Sequence, residues 1–396
     1  MPKRIVFFFR TVFNKRDYIR FGFDIIRSRG YAVEAWDFSP VLRANYYRNY
    51  TPPDPVDFDG HKLYTHRKQI VDAVSGLSNE DIVVCFVGLD RDSAFIYKLL
   101  EKNNIPFGFC LLGLLPQINT HQRIIKRLYI LLPNPVVSLR NMLVRLRLGM
   151  LAWMGRSQRT TSPHFMMIGG GAAKKDSRCS ALDPAKVIKA HALDYDRYLE
   201  EEKLAHLNEG AAVRGYALFL DEDVPFHPDY LHSDTSPYCT ADKYYGELNK
   251  FFDSFERATG LSIIVAAHPR ADYKKRGNPY GNRELVFGKT IYFTKYAELI
   301  LAHASTSLNF AILYKKPVIF MDSLEYSMRF RQGIHNAASA FGQKLLIVSE
   351  EHIFQLRDLS VNNDLYERYK NSYIKELGTP DKMCWDIFCD YVDELN

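Results

Sequence analysis

The chain is predicted to be an α/β protein built from two Rossmann-like domains. Strand-length apolar runs alternate with helix-length segments along most of the sequence, which is the rhythm of βαβ units wound into parallel sheets. Its 396 residues, 47% hydrophobic and 25% charged, suit two domains of ordinary size and exclude a repeat array or a disordered tail. Polar residues collect just past the ends of several apolar runs, where open α/β sheets bind their ligands.

Taken in order, residues 3–9 read as a first buried strand, followed by an amphipathic helix near 17–27 and a second strand at 31–36 after the Arg29-Gly30 turn. A turn-rich stretch at 50–60 precedes a helix around 67–74, a strand at 81–86, a helix at 93–103 and a strand at 106–111. No GxGxxG follows the first strand, which argues against a dinucleotide site there. The run 163–168 is a further strand ending in Gly169-Gly170-Gly171. These glycines permit close approach of a ligand, with Gly170 a candidate donor contact, and a tight turn explains them equally well. Strand-like 187–190 then leads through His191, Asp194 and Asp196 into a charged helix, and the pattern loosens near residue 210. The expected division is an acceptor-binding domain at 1–210, a nucleotide-sugar-binding domain at 211–375, and a C-terminal helix at 376–396 that packs back on the first domain.

Residues 121–159 carry Arg123, Lys126, Arg127, Arg140, Arg145, Arg147, Arg156 and Arg159, with no acidic residue between Glu101 and Asp176. Two readings stand: a basic amphipathic face lying on an anionic membrane, or helices packed on the sheet with solvated arginines. Nucleic acid is not expected, because no recognised RNA- or DNA-binding pattern accompanies the charge. The formal net charge is +6, and the six cysteines show no CxxC pairing, so reduced thiols are expected. The apolar start IVFFF is too short for a signal peptide, and no run reaches the roughly twenty residues of a membrane span. A cytoplasmic protein is expected, with peripheral contact at the inner face of the inner membrane.

In the second half, strands are expected at 216–220, 263–267, 299–302, 317–321 and 344–348, with a helical tail over 350–396. The strand at 216–220 ends in Asp221-Glu222-Asp223. Carboxylates there can serve glycosyl chemistry as a base or a nucleophile, or can cap a helix. Asp221 leads as the residue nearest the strand, with Asp223 and Glu222 beside it. His268-Pro269-Arg270 ends the next strand, and Ser305, Thr306 and Ser307 follow the one after. An imidazole, a guanidinium and hydroxyls together suit a phosphate, although His268 can also cap a buried turn. His303 divides evenly between core packing and pocket wall.

The pairing of His268-Pro269 with Ser305-Thr306-Ser307 resembles the nucleotide site of bacterial CMP-sugar glycosyltransferases of the GT-B fold, in which two Rossmann-like domains flank a cleft. With HALDYDRYL, FLDEDVPFHPDY, AAHPRADY and HASTSLNFAILYKKPVIF, residues 160–325 resemble surface-polysaccharide transferases that include the retaining β-Kdo transferases of lipopolysaccharide and capsule assembly. That resemblance implies transfer of Kdo or a related ulosonic acid from its CMP ester to a lipid-linked glycan such as an O-antigen or capsule. It gives Asp221 the part of nucleophile, with Asp223 as fallback, and His268 and the three hydroxyls the CMP phosphate. No metal or other cofactor is expected. The alternatives are an inverting CMP-sialic or other nonulosonic acid transferase, a UDP- or GDP-sugar GT-B enzyme, and a non-catalytic scaffold of polysaccharide assembly.

Overall fold

The computed structural model describes residues 4–116, 162–205, 214–343, 345–354 and 360–395. The basic segment 121–159 and the boundary near residue 210 lie outside them. Seven strands form the first sheet: β1 (Arg4–Phe9), β2 (Ala32–Asp37), β3 (His61–Leu63), β4 (Asp81–Phe86), β5 (Phe107–Leu111), β6 (Phe165–Gly169) and β7 (Lys186–Ala190). Their spatial order is β3-β2-β1-β4-β5-β6-β7 and every pair is parallel. Six more form the second: β8 (Tyr216–Leu220), β9 (Ser262–Ala266), β10 (Glu284–Val286), β11 (Leu299–Ala302), β12 (Val318–Asp322) and β13 (Leu345–Ile347), in the order β10-β9-β8-β11-β12-β13, again all parallel. Continuous apolar runs such as YALFL and LILA are buried throughout, as strands covered on both faces must be. In each sheet the strand order reverses beside the first strand, between β1 and β4 and between β8 and β11. The crevice that opens at such a reversal is the expected ligand position.

Three expectations change. The helix foreseen at 17–27 is two, Lys15–Arg20 and Phe23–Ser28, broken at Gly22. Gly22 has φ +58°, and the Trp385 ring lies where its Cβ would stand, at 2.5 Å, so only glycine lets the two pack. The tail is not one helix. Among the described residues it comprises Asn363–Tyr369, a π-helical turn Lys370–Ile374 and, past Gly378 with φ +83°, the helix Cys384–Glu394. A 19-residue helix, Ala241–Thr259, covers the second sheet in a stretch for which no element was expected. It buries Tyr244, Leu248, Phe251, Phe252 and Phe255 at helical spacing and ends at Gly260 in the left-handed conformation.

The chain crosses back to the first domain after Ile374. Tyr366 and Tyr369 belong to the core of the second sheet, whereas Trp385, Phe388 and Val392 join Phe7, Phe21 and Phe23 under the first. The crossing is latched by His191, whose Nε2 donates to the Lys382 carbonyl at 2.7 Å, and by Asp196, which accepts the Cys384 N–H at 2.7 Å. Arg29 meets Asp386, Asp390 and Asp393 on the outer face of the last helix.

Candidate active site

The ends of β8, β9 and β11 are tied together by the acidic triplet. Asp221 is buried, and both of its oxygens are fully used: Oδ1 accepts the Asp223 N–H and the Tyr280 hydroxyl, each at 2.7 Å, while Oδ2 accepts the His268 N–H at 3.0 Å and the Tyr273 hydroxyl at 2.7 Å. Four donors saturate the lone pairs of one carboxylate. Asp221 therefore acts as a clamp between β8 and β9, with both oxygens of the expected nucleophile held by these bonds. Asp223, in the left-handed conformation at φ 46°, is 1% exposed and bonded to Arg276 at 2.6 Å and Tyr245 at 3.3 Å. Burial outweighs the Arg276 contact and pushes its carboxyl up to about 6.

Glu222 differs from its neighbours. Its Oε1 accepts the Ala304 N–H at 2.7 Å, joining β8 to the turn after β11, and no hydrogen bond holds its other oxygen among the described residues. The side chain keeps an opening to solvent, yet the surrounding protein pushes the carboxyl up to about 7. A carboxyl with a free oxygen that titrates near neutrality is suited to proton transfer.

His268 is partly exposed, and its Nδ1 accepts the Arg270 N–H at 3.3 Å, so the neutral ring carries its proton on Nε2. Burial, with His227 and Arg270 nearby, holds it well below the ordinary histidine range. Pro269 fixes the turn between them. Arg270 pairs with Asp229 at 2.9 Å and lies 3.2 Å from His227 Nε2. Ser305, Thr306 and Ser307 are all partly exposed, and Ser305 Oγ accepts the Ser307 N–H at 3.2 Å at the entry to the helix Leu308–Leu313. The turn that carries these hydroxyls is thus fastened to Glu222, as His268 is to Asp221.

Two residues fall outside this group. His303 is wholly buried between the Met321 carbonyl at 2.7 Å and the Tyr244 hydroxyl at 3.2 Å, which makes it core rather than pocket wall. Gly170, expected to touch the donor, ends β6 in the first sheet. With φ +80°, its Cβ position lies 2.4 Å from the Ser372 carbonyl oxygen, so the crossing chain occupies the space a ligand would need.

No family model and no curated protein matches the chain. Solved structures align along its whole length. The calicheamicin glycosyltransferase CalG4 aligns with TM-score 0.51 and 12% identity, covering 100% of both chains. The chain is GT-B in fold. The glycotransferase of kitacinnamycin (TM-score 0.49, 10% identity, 99% of this chain and 98% of that one) and the UDP-GlcNAc 2-epimerase of Methanocaldococcus jannaschii (0.47, 12%, 98% and 99%) also align.

Around this GT-B cleft stand further residues to which no role was given from sequence. Tyr46 meets His232 edge to face at 5.6 Å, and Asp194 accepts from Asn309 Nδ2 at 2.9 Å. Burial raises the Asp194 carboxyl, with Arg20 and Arg16 close enough to oppose the rise. Arg16 and Arg20 share one face of the helix Lys15–Arg20, and Arg16 acts electrostatically on His227 and His268. The only sequence signal for these residues is the polar run NKRDYIR after the first strand, where a ligand-facing loop belongs. Among the described residues, no group of three or more His, Cys, Asp or Glu is placed to hold a metal ion, and no helix is long and apolar enough to cross a membrane.

Proposed function

We propose that the protein is a glycosyltransferase that moves Kdo or a related ulosonic acid from its CMP ester to a bacterial surface glycan. The observation that carries this reading is the fastening of three strand ends by two carboxylate to backbone bonds, Asp221 to His268 and Glu222 to Ala304. These bonds bring a neutral imidazole, a hydroxyl-bearing turn and a titratable carboxyl to one sheet edge. In this reading His268 Nε2–H, Arg270 and the hydroxyls of Ser305, Thr306 and Ser307 hold the nucleotide phosphate. The protein itself then meets the phosphate charge, and no divalent cation is assigned.

Glu222 replaces Asp221 as the leading catalytic carboxylate, as a base rather than a nucleophile. As a base it removes the proton from the acceptor hydroxyl while the C–O bond to CMP breaks, the acceptor oxygen attacks the anomeric carbon from the opposite face, and configuration inverts. The free Glu222 oxygen and the four bonds that occupy Asp221 favour this inverting alternative over retention. The acceptor is assigned as a lipid-linked glycan, on the strength of the basic run 121–159. Incubation with CMP-Kdo, CMP-sialic acid, UDP-glucose and GDP-mannose and an acceptor extract tests the reading. CMP release with a product of inverted configuration is expected. Turnover of only the UDP- or GDP-sugar would refute the donor, and a sugar-sized mass adduct on the protein would refute inversion.

A further inference from the structure

Three arginines, Arg16, Arg20 and Arg270, and three aspartates, Asp17, Asp194 and Asp229, interact electrostatically around the cleft. Arg16 enters from the first domain, and its nearest ion-pair contact is a long one, Nη1 to Asp17 Oδ1 at 3.9 Å. Asp17 is not free to come closer, because its other oxygen is held by Asn14 Nδ2 at 2.9 Å. Arg270, facing Arg16 from the second domain, spends Nη1 on Asp229 and Nη2 on His227, while its Nε is buried without a hydrogen-bond partner among the described residues. Tyr50, stacked on Tyr46 at 4.9 Å, likewise has its hydroxyl buried without a partner and lies within electrostatic reach of Arg270, Arg16, Asp17 and Asp229. Burial, with Arg20 and Arg270 nearby, lowers the Arg16 guanidinium to about 10, while Asp17 and Asp194 oppose the fall. The contact of Tyr46 with His232 joins the two domains beside this position.

Two guanidinium groups within electrostatic reach of each other, one with an orphaned N–H, and an orphaned hydroxyl are complementary to a carboxylate, which accepts from several donors. We propose that Arg16 and Arg270, with the Tyr50 hydroxyl, bind a carboxylate on the sugar itself, so that the site selects acidic over neutral donor sugars. This deepens the proposed function: it rests on a nucleotide sugar being the ligand, and assigns to named residues of both domains the recognition of its acid group. It also gives the first domain a part in donor binding, where the sequence suggested acceptor binding alone. Arg16 is a specificity residue in this scheme and takes no part in proton transfer.

The test is calorimetric titration of the full chain with CMP, CMP-Kdo, UDP-glucose and UDP-glucuronate, repeated on Arg16→Gln and Arg16→Lys. The wild type is expected to bind the acidic member of a pair at least tenfold more tightly than its partner lacking the acid. Arg16→Gln should bring the pair within about twofold while leaving CMP or UDP-glucose affinity unchanged, and Arg16→Lys should restore part of the preference. An unchanged preference in Arg16→Gln, or an equal loss for CMP and CMP-Kdo, overturns the inference; retained CMP affinity shows that the variant is folded. Preference for UDP-glucuronate over UDP-glucose with no response to CMP compounds would refute the CMP donor and uphold the acid site. Binding of none of the four would overturn both.

Discussion

At the end of β8 the chain sets three acids in a row and fastens them: Asp221 to four donors, Glu222 to the Ala304 N–H, Asp223 to Arg276 and Tyr245. Past the end of β1, where Arg10 pairs with Asp90 at 3.0 Å, the following helix sets Arg16, Asp17 and Arg20, and the ion pair between Arg16 and Asp17 spans 3.9 Å. Both loops leave the first strand of a parallel sheet beside its reversal of strand order, so the architecture is the same and the difference lies in how far each is satisfied by its own domain. The acidic end holds its shape unaided. The basic end leaves buried donors on both sides of the cleft without acceptors, an arrangement that a bound anion completes. Rigidity and readiness for a ligand are thus divided between the domains.

The sharpest way to break that contrast lies within the acidic triplet itself. If Asp221 is structure and Glu222 chemistry, Glu222→Gln should cut CMP release by about a hundred- to ten-thousand-fold with little change in thermal unfolding. Asp221→Ala should instead cost about 3–5 kcal/mol in urea unfolding, because it strands the buried Tyr273 and Tyr280 hydroxyls and two backbone N–H groups. A folded, inactive Asp221→Ala beside an active Glu222→Gln would reverse the assignment.

What was legible in the sequence follows the same division. The fully buried strands showed as unbroken apolar runs, and β8, β4 and β11 lie where those runs lie. The edge strands β3 and β10 escaped notice, being three residues each, with charged residues breaking the apolar run in HKL and ELV. The helix Ala241–Thr259 carried its periodic aromatics in plain view, and that signal went unused. Strand ends advertise polar clusters, so Asp221, His268 and Ser305 could be named. Nearness to the strand suggested Asp221 as the reactive group, whereas that nearness is what lets it reach the N–H of the neighbouring strand. Its other partners, Tyr273 and Tyr280, lie 52 and 59 residues away in sequence, and no local pattern announces them. Asp194 owes its place to the packing of its helix against the second sheet's core, more than a hundred residues further along, which is equally silent in the chain.

A smaller effect tests the joint between the domains. Gly22→Ala forces a methyl group into the Trp385 ring in a backbone conformation that favours glycine, and should destabilise the docking of the C-terminal helix by about 1–3 kcal/mol. Hydrogen exchange across 384–394 should report it while the strand ends of the second sheet keep their protection. Equal loosening of both regions would mean that the two ends are not independently held.

The smallest expected effect is in pH. A carboxyl whose folded pKa lies above its unfolded value contributes stability that is fully present below the unfolded pKa and lost as pH rises through the folded one. Glu222, raised from 4.5 to about 7, and Asp223, raised from 3.8 to about 6, both belong to this class. His227, lowered from 6.5 to about 4, works the other way: its contribution is present above 6.5 and lost as pH falls through about 4. Between pH 6 and 8 Asp196, also raised to about 7, loses stability alongside Glu222, while His227 and His303, lowered to about 4, gain it as the unfolded histidines shed their protons, so the Glu222 contribution is read as the difference between wild type and Glu222→Gln. The melting temperature of Glu222→Gln, which has no charge to bury, should rise by a few degrees relative to the wild type from pH 6 to pH 8. Over the same interval turnover should rise as Glu222 loses its proton and becomes the base. Turnover rising through the same pKa as this stability difference is the signature of a single group serving both, and a turnover profile that does not follow the difference would separate the base from Glu222.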